Sequence, residues 1–150
     1  MMMSIREEMP VFARHEGEWK GVYTVVDPNG KVLDQHDSYL TCDLRDDNKE
    51  YPYFQTNTYT WADGKSERIE FPGSYKDKHI IFDTDRINGH SWEIDENTII
   101  LTWKYVNDAD KYLYEMINLS PDGQHRARVW QWFEKGELVK RTIIKEQKVK

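Results

Sequence analysis

The stretch Tyr53-Phe54-Gln55-Thr56-Asn57-Thr58-Tyr59-Thr60-Trp61 separates, in steps of two, into two faces. One carries Tyr53, Gln55, Asn57, Tyr59 and Trp61; the other carries Phe54, Thr56, Thr58 and Thr60. Period-two alternation marks a β-strand with one face sheltered and one wet. The aromatic face is the sheltered one, yet it holds two amides, which burial tolerates only when they are hydrogen-bonded. A sheltered face that mixes rings with hydrogen-bonding groups reads as the lining of a ligand cavity, the alternative being a packed core whose polar groups satisfy one another. The mixture recurs near the C-terminus, where Arg126, Arg128, Trp130 and Trp132 share one face of a strand. Alternation alone does not decide whether that face or the one with Ala127, Val129, Gln131 and Phe133 points inward.

Outward from this strand, turn chemistry punctuates the chain at short intervals. Asp27-Pro28-Asn29-Gly30, Arg45-Asp46-Asp47-Asn48, Ala62-Asp63-Gly64, Phe71-Pro72-Gly73, Asn88-Gly89, Pro121-Asp122-Gly123 and Lys135-Gly136 are examples. Asp-Gly and Asn-Gly supply the positive φ that tight hairpins demand. Between the turns lie about ten strands: 18–26, 32–44, 51–61, 66–71, 79–84, 90–94, 98–106, 112–119, 126–134 and 138–146. Ser4-Ile5-Arg6-Glu7 has the form of a capping box and starts one brief helix toward His15, with Pro10 limiting it or opening a second turn. No other helical pattern is long enough to cover a sheet. A meander of this length must hide its apolar side by closing on itself, so the expected fold is an all-β, antiparallel up-and-down barrel of about ten strands. The 150 residues read as one domain.

Composition narrows the function. Aromatic residues make up 13% of the chain, so much of the buried area comes from large amphipathic rings. A net charge of −6 with interspersed signs argues against nucleic acid, which needs a basic face. The single cysteine, Cys42, excludes an internal disulfide and a Cys-based metal site, and it reads as a small buried hydrophobe. No apolar run near the N-terminus resembles a signal segment and none approaches a membrane span, so no membrane partner and a cytoplasmic location are expected.

Gly17-Glu18-Trp19, opening the first strand after a short helix, matches the Gly-x-Trp signature of lipocalins and the wider calycin group. With Gly21 it is similar to the Gly-x-Trp-x-Gly form of nitrobindins and fatty-acid-binding proteins. More broadly, the Gly17–Tyr23 opening, the strand Gln55–Trp61 and the segment Tyr112–Trp132 resemble an uncharacterised bacterial lipocalin-like family related to phycobiliprotein lyases. The resemblance implies that Trp19 plugs one barrel end under an arginine. By position Arg141 is the first candidate for that arginine and Arg128 the second. No histidine stands where a nitrobindin-type haem ligand is expected, since His125 lies at a strand entrance. No Cys or other feature shows bilin handling.

The leading functional reading is a barrel that binds a small apolar or aromatic molecule. Tyr23, Tyr59, Trp61, Trp103, Tyr105 and Trp130 would line its site, with Gln55, Asn57 and Arg128 orienting a polar end. An inward Arg128 needs an anion, either Glu115 or Glu70 of the chain or a carboxylate on the ligand. The alternative is a cofactor-independent lyase, isomerase or cyclase with Glu115 or Glu70 as the acid–base group. A third reading, a haem or bilin carrier, predicts a coloured protein. His36 is expected to face solvent with Asp34, the alternative being a place near the cavity. No motif calls for a cofactor or a metal ion, and a homodimer is compatible with the sequence.

Overall fold

The structure, a computed structural model, describes residues 4–149. Ten strands form one closed antiparallel barrel: β1 (Gly17–Val26), β2 (Val32–Leu44), β3 (Tyr53–Thr60), β4 (Ser66–Lys76), β5 (His79–Asp83), β6 (Ile87–Asp95), β7 (Thr98–Tyr105), β8 (Lys111–Leu119), β9 (His125–Glu134) and β10 (Glu137–Lys148). Each pairs with its sequence neighbour, and β10 closes on β1 with Trp19 opposite Lys148 and Val26 opposite Arg141. Closure leaves no unpaired sheet edge.

Two helical turns stopper one end. α1 (Ile5–Glu8) begins at a full capping box between Ser4 and Glu7, and α2 (Pro10–Arg14) begins with Pro10, whose missing N–H costs nothing in a first turn. Ile5, Met9, Val11 and Phe12 are buried against the barrel core. Arg14 ties α2 to the rim by donating to the carbonyls of Glu96, Ser120 and Pro121, and Glu93 accepts from the Phe12 amide at 2.8 Å.

The barrel differs from the sequence expectation at two turns. Phe71-Pro72-Gly73 lies inside β4, where Pro72 pairs with Phe54 and β5 does not begin pairing until Ser74. A proline is tolerated there because β4 is bonded on one side only. The chain reverses instead at Asp77-Lys78, both at positive φ (50° and 62°). Asn88-Gly89 likewise lies within β6. A Cβ on Gly89 would come within 2.0 Å of the Thr102 carbonyl oxygen, so this glycine serves a close strand approach rather than a turn.

Candidate functional site

Trp19 is fully buried, its indole N–H donating to the His15 carbonyl at 2.9 Å. The guanidinium above its ring, at 4.5 Å, belongs to Arg126, not to Arg141 or Arg128. β9 therefore turns its Arg126–Arg128–Trp130–Trp132 face inward, which alternation had left open. Arg141 pairs with Val26 at the far end of β1, well away from Trp19.

Above Trp19 sits a charge network. Arg126 bonds Glu146 through Nε at 2.6 Å and Nη2 at 3.2 Å. Arg128 bonds Glu115 through Nε at 2.6 Å, and its Nη1 reaches both Glu146 and the Tyr23 hydroxyl. Two cations and two anions balance, as burial of charge requires. Burial alone would raise the Glu146 carboxyl, but Arg126 and Arg128 hold it below its ordinary value. Burial works against the Arg126 and Arg128 cations, and the neighbouring carboxylates outweigh it, so both stay charged. Arg126 also donates to His15 Nδ1 at 3.0 Å, which leaves the neutral ring its proton on Nε2. Burial, followed by the charge of Arg126, holds His15 well below the usual imidazole value.

The amides of β3 form a ladder beside this network. Tyr53 donates to Gln55 at 2.6 Å, Gln55 to Asn57 at 2.9 Å, and Asn57 to the Tyr59 hydroxyl at 2.8 Å. The polar groups on this sheltered strand thus satisfy one another in sequence. Tyr53, Gln55 and Asn57 border a small internal cavity of only about 20 Å³, together with His15, Ser91, Glu115, Arg126, Arg128 and Trp130. That space accommodates about one water molecule.

The opposite end is open. A cleft of about 190 Å³ lies between Tyr23, His36, Tyr59, Trp61, Phe71, Trp103, Tyr105, Trp130 and Trp132, with Ile69, Ile87, Arg86, Lys140 and Glu67 also among its lining. His36 packs against Trp61 with ring centroids 4.5 Å apart, and Tyr105 stacks on Trp132 at 13° between planes. Asp34 holds the rim by accepting from Trp61 Nε1 at 3.0 Å and bonding His36 Nδ1 at 2.7 Å. The His36 side chain is only 9% exposed, so it faces the cleft and not solvent. Its partner Asp34 is the exposed member of the pair, which is why an alternation that groups the two misjudges the histidine.

The structure therefore sorts the expected site residues into three groups. Tyr23, Tyr59, Trp61, Trp103, Tyr105 and Trp130 converge on the cleft. Gln55, Asn57, Arg128 and Glu115 lie below it, each bonded within the protein. Glu70 stands on the outer surface, 3.5 Å from Arg68 and more than half exposed, because it falls on the opposite face of β4 from Ile69 and Phe71. Trp132, His36, Arg86 and Lys140 are cleft residues that were not among those expected. Trp132 was visible in the alternation of β9; Arg86 and Lys140 left no signal, being one charge in a turn and one beside a bulge between Leu138 and Lys140.

A family model described as "Domain of unknown function (DUF3598), N-terminal" matches residues 6–150. The chain belongs to the DUF3598 family. The fold of this DUF3598 domain is shared with a family member of unknown function from Nostoc punctiforme PCC 73102, at 18% identity and a TM-score of 0.73. The match covers 92% of this chain and 49% of that one, so the present chain spans about half the length of its relative. It is shared also with the S-type phycobiliprotein lyase CPES from Guillardia theta, at 14% identity and a TM-score of 0.71, covering 99% and 94% of the two chains. A redesigned β-barrel matches at 10% identity and a TM-score of 0.51, over 93% of this chain and 96% of the other. No curated protein matches the DUF3598 chain. Among the described residues, no helix is long and apolar enough to cross a membrane.

Proposed function

We propose that the barrel binds a small, largely apolar or aromatic molecule in the cleft at its open end. One observation carries the reading: nine aromatic or imidazole rings converge on a space of about 190 Å³ that opens to solvent, while the rest of the interior is packed. Stacking and apolar burial supply the affinity, at about 25 cal/mol for each Å² removed from water. Asp34 supports preorganisation, because it fixes Trp61 and His36 before any ligand arrives. The likeness of fold to a phycobiliprotein lyase is compatible with a small-molecule cavity and also keeps an enzyme as the second reading. For that second reading Glu115 is a poor acid–base group, since Arg128 holds it, and Glu70 lies outside the barrel.

Native mass spectrometry of the protein from its own cells tests the proposal. A co-purifying small molecule is expected with the wild type and is lost in Val25→Trp, which fills the cleft from its rim. Retention of the same molecule by a folded Val25→Trp variant would place it elsewhere and overturn the reading.

A further inference from the structure

Two indole N–H groups that border the cleft have no hydrogen-bond partner. Among the described residues, the buried side-chain polar atoms without a hydrogen-bond partner are Trp103 Nε1, Trp130 Nε1, His15 Nε2 beside the lower cavity, and the hydroxyls of Ser38 and Ser91, which can donate or accept. His15 Nε2 carries the ring proton, because Nδ1 accepts from Arg126. Both indoles border the cleft and the small cavity beneath it, and both side chains are more than nine-tenths buried. An unpaired buried donor is costly, so each marks a place where an acceptor is wanted.

Charge at the rim agrees with this. Lys140 occupies an inward position of β10, half-buried, with Nζ 4.9 Å from the centre of the Trp132 ring. Among the described residues no carboxylate lies within ion-pair distance of it, although the buried Arg126 and Arg128 are fully paired. Arg86 also lines the cleft; it is exposed, its side chain donates to the Glu70 backbone carbonyl, and among the described residues it has no ion pair. The carboxylates at this opening are Glu67, exposed on β4 four strands around the barrel from Lys140, and Asp34 at the rim, which is already taken up by Trp61 and His36. A partly buried cation over an aromatic wall, with no internal anion, is a counter-charge awaiting one.

We propose that the ligand is an aromatic anion of one or two rings bearing a carboxylate or a similar acid, with Lys140 as its principal counter-charge and Arg86 as the second. This rests on the reading of the cleft as a binding site. It adds the ligand's charge and size: the cleft holds about 190 Å³, which suits a bicyclic molecule. The rings stack among Trp61, Tyr105 and Trp132, and the acid group lies at the Lys140 side.

The test compares naphthalene-2-carboxylate with naphthalene-2-carboxamide, which have the same rings but differ in charge, by quenching of tryptophan fluorescence and by calorimetry. The wild type should bind the acid about tenfold tighter than the amide, as a charge-assisted contact replaces a neutral one. Lys140→Met should remove that preference, Lys140→Arg should keep it, and Arg86→Gln should reduce it. Circular dichroism confirms that each variant is folded. Equal binding of acid and amide would overturn the anion preference and leave the aromatic site standing. A preference that survives Lys140→Met combined with Arg86→Gln would overturn the assignment of the counter-charges. Failure of both molecules to bind at millimolar concentration would overturn the site itself.

Discussion

Glu115 is the residue whose replacement separates an acid–base role from a structural one. Its carboxylate is 3% exposed and lies 2.6 Å from Arg128 Nε, in a network whose other members are Arg126 and Glu146. Glu115→Gln preserves shape but leaves two buried guanidiniums sharing one carboxylate. Breaking a buried pair by removing one partner costs about 3–5 kcal/mol. For a domain of this size that corresponds to a fall in Tm of about 6–20 °C. Removing both partners, as in Glu115→Leu with Arg128→Met, restores charge balance, because Arg126 and Glu146 still neutralise each other. The double variant should therefore be more stable than Glu115→Leu alone, with a coupling energy of about 2 kcal/mol or more against the single variants Glu115→Leu and Arg128→Met. Thermal and urea unfolding followed by circular dichroism measure both quantities. A Glu115→Gln protein that melts with the wild type, or a double variant whose loss is the plain sum of the singles, would refute the network as described.

Further outcomes follow from other parts of the barrel. His15 stays neutral in the folded state while the unfolded imidazole titrates near its ordinary value of about 6.5; the unfolded chain then binds the extra proton below that pH, so stability falls as pH falls, by up to about 1.4 kcal/mol per unit. Glu146 works at more acid pH: its folded value lies below its unfolded one, so its contribution is present above the ordinary carboxylate range and lost as pH drops through the folded value. Urea midpoints at pH 7.5, 6.5 and 5.5 should decline in the wild type and decline less in His15→Gln; parallel profiles would contradict the His15 assignment. Gly89→Ala places a methyl 2.5 Å from the Trp103 Cα and should cost about 3 kcal/mol or more, read as a lowered urea midpoint. Replacing Asp77-Lys78 by Asn-Gly relieves two positive-φ residues at a hairpin and should raise stability by about 1 kcal/mol, with an unchanged or lower midpoint as the contrary result.

The strand Tyr53–Thr60 shows how far sequence reading reaches. Its period-two pattern correctly sent Tyr53, Gln55, Asn57 and Tyr59 inward, and the spacing of turns led to ten strands and closure. Alternation reports which way a side chain points, not what it meets there. The amides were therefore read as facing a ligand, whereas they bond one another in series. The Arg over Trp19 was sought near the last strand by family position, but the register of β9 against β10 brings Arg126 to that place opposite Glu146. Glycine and proline mislead for a related reason: Pro72 and Gly89 have the composition of turns, and only the neighbouring strand explains why they sit inside β4 and β6. Lys140 and Arg86 become meaningful only once closure carries them to the same opening.

The central claim is that ligands enter at the end away from the helices, and the six tryptophans report on it individually through their indole ¹⁵N–¹H resonances. Titration with naphthalene-2-carboxylate should shift Trp61, Trp103, Trp130 and Trp132, which line the cleft, and leave Trp19 at the sealed end and Trp92 on the outer surface unmoved. Shifts confined to Trp19 or Trp92, with the four cleft indoles unchanged, would contradict the account.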